Sequence, residues 1–204
     1  MIGFFLIFRD NLSEIRLATT LRPCPFKGTP KTNKAYKEIL QTELEKGIIE
    51  ITTREQVKCW NPTFIVPKPD GGWRKILDAT HLNNEILPLH FQMQGVEDVK
   101  MIIQPLDWLT KLDLKSAFHH LNVYEPHRPY LAFEVEGVCY RYKGMPFGTQ
   151  HSPIFFSEIM NLILAEVRKT WDLRIINYLD DILLLHQDQW ILKQQTIRLM
   201  EIFE

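Results

Sequence analysis

The sequence predicts an α+β fold, and three observations carry that prediction. Helical and strand-like segments alternate without a regular βαβ rhythm. The strand-like segments come in neighbouring pairs joined by tight-turn signals. The segments after residues 31 and 152 place apolar residues at helical spacing. At 204 residues, 45% apolar and 24% charged, the chain can bury one core and a second lobe.

Taken in order, KTNKAYKEILQTELEKG (31–47) reads as a helix closed by Gly47. Strand-like segments follow around Ile48 to Ile51 and at Thr63-Phe64-Ile65-Val66. Asp70-Gly71-Gly72 then turns residues 63–78 into a hairpin with Lys68 and Arg74 beside its tip. Residues 96–103 read as a short helix, and Trp108 to Leu114 as a strand. Two strands turn at Glu136-Gly137. Ser152-Pro153 starts a helix, a hydroxyl cap followed by proline, whose apolar stripe is Ile154, Phe155, Ile159, Leu162, Ile163 and Val167 and whose end carries Arg168-Lys169. Arg174 to Tyr178 and Ile182 to Leu185 form a hairpin with Asp180-Asp181 at its turn, and a last helix covers 189–203.

Several classes are excluded or weakened. MIGFFLIF is too short to span a bilayer and lacks the basic flank of a signal peptide, so the expectation is an intracellular protein, cytoplasmic or nuclear, with no membrane partner. Cys24, Cys59 and Cys139 are odd in number and widely spaced, which argues against a disulfide framework or structural zinc. A formal net charge of −1 is unusual for a nucleic-acid binder. The charge is uneven, however. Residues 22–75 hold eleven Lys and Arg against six acids, a local surplus of +5 (11 − 6), which suits a phosphate-binding lobe beside a metal-binding one.

The acids carry the chemistry. An isolated Asp180-Asp181 is most simply a solvated turn. Asp113, flanked by Leu112 and Leu114 in a strand, is a third acid that should be costly to bury without a cation or a partner. Mg²⁺ takes oxygen ligands, typically one or two carboxylates plus substrate phosphates, and a pair of ions can clamp both oxygens of an in-line displacement. Only a fold that lays the two strands side by side makes one site of the three.

The order of segments resembles reverse transcriptases. WNPTFIVPKPDGGWRKILDATHLNN is similar to the fingers signature, LDLKSAFHH to the first catalytic motif, YKGMPFGTQHSPIFF to the loop and helix beneath the nucleotide, and YLDD to the Tyr-x-Asp-Asp signature. MPFG and YLDDILLL are most similar to retrotransposon enzymes, the DIRS-type group among them. The resemblance implies a right-hand polymerase with an antiparallel palm sheet packed on helices: an N-terminal extension at 1–30, fingers at 31–98 and 121–146, and palm at 99–120 and 147–204. Few residues follow Asp181, so it also implies an incomplete palm and no thumb.

Carried over by position, the resemblance implies that Asp113, Asp180 and Asp181, with the Leu114 carbonyl, hold two Mg²⁺ ions, or Mn²⁺ in their place. Asp113 and Asp180 would be the main ligands. Lys68, Arg74 and the backbone near Ser116 and Ala117 would meet the incoming triphosphate, and Phe118 would lie under the sugar and exclude a 2′-hydroxyl. Phe147 and Gly148 would pack near the nucleotide, and Tyr178 and Leu179 near the primer end. Met145, His119, His120 and His127 read as packing or surface residues. The implied partners are an RNA or DNA template with its primer and deoxynucleoside triphosphates, and the implied reaction is attack of the primer 3′-hydroxyl on the α-phosphate with departure of pyrophosphate. Two other readings stay open: an inactive retroelement remnant that binds nucleic acid, and a nucleotide cyclase or RNA-dependent polymerase on a similar palm.

Overall fold

In a computed structural model, the structure describes residues 3–19, 22–69 and 71–203. In chain order the helices and strands are α1 (Ser13–Thr19), α2 (Pro30–Glu45), β1 (Ile49–Thr52), β2 (Thr63–Pro67), β3 (Trp73–Leu77), α3 (Thr80–Asn83), α4 (Val96–Ile102), β4 (Trp108–Asp113), β5 (Ala132–Val135), β6 (Val138–Tyr142), α5 (Ser152–Thr170), β7 (Arg174–Tyr178), β8 (Asp181–His186) and α6 (Gln189–Phe203). Every strand pair is antiparallel, in sheets ordered β1-β6-β5, β2-β3 and β4-β8-β7. The chain divides into two compact units, Met1–Leu89 with Phe118–Ser152, and His90–Ala117 with Pro153–Glu204.

Local chemistry explains the boundaries. Thr29 accepts a hydrogen bond from Thr32 N–H and Pro30 opens α2, where its missing N–H costs nothing. The helix ends at Glu45, and Gly47 turns the chain with φ +65°. At the β2–β3 turn, Asp70 lies outside the described residues, as do Met1 and Ile2 of the leading apolar run. Lys68 N–H reaches Gly72 O at 2.8 Å, and Gly71 takes φ +85°, a value that favours glycine.

The first unit is built around Tyr36, Leu77, Ile86, Tyr130, Phe133 and Tyr142, all buried. The N-terminal segment belongs to this core. Phe4, Leu6 and Leu17 are buried, and single bridges join Phe4 to Val123 and Phe8 to Ile86.

Strand β3 also carries a fully buried ammonium. Lys75 forms an ion pair with Glu43 of α2 and lies 4.2 Å from the Phe133 ring centroid, 5.0 Å from Tyr142 and 6.0 Å from Tyr36. Burial pushes the Lys75 ammonium down and the Glu43 carboxyl up, and each opposes the other's shift. A charge in such a place is tolerated only with its partner. Lys75→Met is therefore expected to cost about 3–5 kcal/mol in a denaturant melt. The Lys75→Met/Glu43→Gln double variant should recover much of that loss, because no unpaired charge is left inside.

In the second unit, α6 packs against β8 and β4, with Ile182, Leu184, Leu185, Leu192 and Leu199 buried. The buried stripe of α5 is Phe156, Met160, Leu164 and Val167, while Leu162 is 70% exposed. The expected stripe is thus displaced around the helix. Apolar residues occupy more than one face of this segment, so periodicity alone does not single out the packed one. The Ser152 hydroxyl donates to Pro146 O at 2.8 Å, so it ties down the preceding loop instead of capping the helix.

Candidate active site

The site begins with the β7–β8 hairpin. Tyr178 pairs with Asp181 across a two-residue turn made of Leu179 and Asp180. Leu179 takes φ +53°, a region that a branched side chain seldom occupies and that is strained where it occurs.

Strand β4 lies along the other side of β8, and its register sets Asp113 directly opposite Asp181. Directly opposed residues bring their Cβ atoms to about 4.5–5.5 Å, and like charges so placed repel. A backbone hydrogen bond from Leu114 N–H to Asp180 O, 3.0 Å, ties the exit of β4 to the acidic turn. All three acids predicted from the sequence therefore meet at one end of one sheet, together with Leu114, Tyr178 and Leu179.

Asp113 is not buried. It is exposed as the last residue of the edge strand β4, and Trp108 and Leu109 of that strand are 50% and 60% exposed. Burial therefore does not force a partner on this acid; the opposed Asp181 does.

One residue of this cluster escaped the sequence reading. Lys111 places its ammonium 2.8 Å from the Asp181 carboxylate. The hydrogen bond to Asp181 and the charge of Asp181 raise the Lys111 pKa, with smaller contributions from the charges of Asp113 and Asp180. The available signal was the period of the strand: Lys111 stands two residues before Asp113 and so shares its face.

The donor set is all carboxylate and carbonyl oxygen, which suits Mg²⁺ or Mn²⁺. Among the described residues no three His, Cys, Asp or Glu side chains are gathered closely enough to hold a metal ion by themselves.

A second group of predicted residues lies within the first unit. Arg74 and the buried Lys75 point to opposite faces of β3. The Arg74 guanidinium lies 5.5 Å from the centroid of the Phe147 ring. Phe147 in turn stacks on Phe118, centroids 4.5 Å apart and planes 20° from parallel. Phe118 is 4% exposed, so its ring is a floor beneath Phe147. Lys68 is exposed just beyond β2.

The loop around Phe147 is held by two amide side chains. Asn83 donates to Gly148 O at 2.9 Å and accepts from Gln150 N–H at 2.9 Å, and Gln150 Nε2 donates to Asn83 O and Ile86 O, each at 3.1 Å. Gly148, with φ +117°, passes so close to Leu77 that a Cβ would overlap its carbonyl oxygen.

Ser116 is exposed with φ +56°, and Ala117 is buried. Met145 is fully buried, in keeping with packing. His119 faces Met145 O at 3.1 Å, and burial lowers its pKa to about 4. His127 Nδ1 accepts from Leu6 N–H at 2.9 Å.

A family model described as reverse transcriptase (RNA-dependent DNA polymerase) matches residues 66–203. The chain belongs to the reverse transcriptase family. Among curated relatives, the Transposon Tf2-3 and Tf2-7 polyproteins of Schizosaccharomyces pombe (strain 972 / ATCC 24843) are each 32% identical over 181 residues. That alignment takes in 88% of this chain but 13% of each polyprotein. Solved structures of prototype foamy virus protease-reverse transcriptase share the fold. A CSH mutant matches with TM-score 0.71 at 24% identity, over 100% of this chain and 26% of that one. A foamy viral protease-reverse transcriptase in complex with double-stranded DNA matches with TM-score 0.72 at 21% identity, over 100% of this chain and 34% of that one. No helix among the described residues is long and apolar enough to cross a membrane.

Proposed function

We propose that this chain carries the nucleotide-adding centre of an RNA-directed DNA polymerase, with the first compact unit acting as fingers and the second as palm. The observation that carries the reading is the register of Asp113 against Asp181, with Asp180 fastened beside them through Leu114. Three acids at the end of one sheet concentrate negative charge that a divalent cation would neutralise. Asp113 and Asp180, with Asp181 and the Leu114 carbonyl, would hold two Mg²⁺ or Mn²⁺ ions. Bound there, the ions supply charge neutralisation at the attacking and leaving oxygens.

The residues of the chain do the rest by position. Arg74 offers a planar donor fork suited to phosphate oxygens, and Lys68 offers a point charge at the end of a hairpin. Phe147, fixed by Asn83 and Gln150, offers a flat apolar surface to the nucleotide, and Phe118 supports it from below. Tyr178, 52% exposed at the end of β7, offers a ring to the primer terminus. A primer 3′-hydroxyl aligned on an α-phosphate needs no protein nucleophile, since positioning and charge neutralisation supply most of the rate in phosphoryl transfer.

The reading is tested by supplying the protein with a primed RNA template, Mg²⁺ and one deoxynucleoside triphosphate at a time. Only the nucleotide matching the template base is expected to be added. Addition of all four at equal rates would contradict it. In the same assay Phe118→Ala is expected to narrow the preference for deoxy- over ribonucleotides, and to cost about 3 kcal/mol of stability because the ring is buried. Unchanged sugar preference in a folded Phe118→Ala protein would make that ring a core residue only.

A further inference from the structure

Lys111 stands in the carboxylate cluster without a role in the chemistry just described. An exposed lysine on an edge strand is ordinarily a device for solubility and against edge-to-edge pairing. Two observations set this one apart. Its ammonium is 2.8 Å from Asp181. It precedes Asp113 by two residues on β4 and therefore shares the face on which Asp113 opposes Asp181. A strand end with two directly opposed carboxylates and a third in the adjoining turn is repulsive until a cation joins it, and Lys111 supplies a covalently tethered one.

We infer that Lys111 is the resident counter-ion of this site: its ammonium neutralises Asp181 in the metal-free protein and competes with a divalent cation for that carboxylate. The inference rests on the polymerase reading of the three acids. Two consequences follow from the geometry. Asp181 is the carboxylate the ammonium engages, so an arriving cation meets Asp113 and Asp180 before it meets Asp181. Cation binding must either displace the ammonium or accept its repulsion, so Lys111 weakens the affinity of the site and stabilises the empty protein.

The test is Mn²⁺ binding to the full chain, followed by the loss of the free-ion paramagnetic resonance signal, and thermal melting in chelator. The proteins compared are the parent, Lys111→Met, Lys111→Gln, Lys111→Arg and Asp113→Asn. Removing the tethered charge is expected to tighten Mn²⁺ binding about three- to tenfold and to lower the melting temperature in chelator, while Lys111→Arg follows the parent in both. Unchanged or weaker Mn²⁺ affinity in both folded neutral variants would overturn the inference. A different result marks failure of the underlying reading: Mn²⁺ binding that Asp113→Asn leaves intact, or none in the parent. Either result places the failure in the three-acid cation site and not in the part assigned to Lys111.

Discussion

Asp113→Asn is expected to reduce Mg²⁺-dependent nucleotide addition by at least about a thousand-fold, since a bound ion stabilises the transition state by several kcal/mol and each tenfold is about 1.4 kcal/mol. The fold should hardly notice. Asp113 is an exposed strand-end residue facing a like charge in Asp181, and surface changes of this kind usually stay within about 0.5 kcal/mol. Single-turnover incorporation beside a thermal melt separates the two effects. Asp180→Asn should behave in the same way. Full activity in a folded Asp113→Asn protein would remove this residue from the site.

Gly148→Ala is expected to have the largest effect on the first unit. The new methyl would overlap the backbone carbonyl of Leu77, which cannot rotate away as a side chain can, and φ +117° is strained for any L residue. Overpacking and backbone strain each cost about 1–3 kcal/mol, so a loss of about 3 kcal/mol or more is expected in a denaturant melt. Because Asn83 holds the Gly148 carbonyl, the displaced loop would also carry Phe147 off Phe118 and away from Arg74. A raised KM for deoxynucleotides should accompany the lost stability. A stable protein with unchanged KM would show that the loop relaxes without moving Phe147.

Much of this arrangement was legible in the sequence. The β7–β8 hairpin could be read because short strand-forming runs flank a turn residue pair, and that pattern is local. The adjacency of Asp113 and Asp181 could not, because strand order is decided by long-range packing that leaves no period in either strand. It came only from the resemblance of the motifs in their order. The amide clamp of Asn83 and Gln150 was missed for a related reason. Hydrogen bonds between two loops far apart in sequence carry no spacing signal. Lys111 was overlooked because an exposed lysine is so often only solvated, although its place two residues before Asp113 put it on the acidic face. The resemblance sets segment 1–30 apart as an extension of the fingers. Within it Phe4, Leu6 and Leu17 join the core of the first unit, which a short apolar run does not announce by itself.

The most direct test of the central claim, that Asp113, Asp180 and Asp181 form a cation site for template-directed nucleotide addition, is a Mg²⁺ titration of single-nucleotide incorporation by the parent chain on a primed RNA template. No incorporation is expected in chelator, and a saturable rise with Mg²⁺ is expected for the template-matched deoxynucleotide alone. Incorporation that persists in chelator, or that ignores the template base, would contradict it.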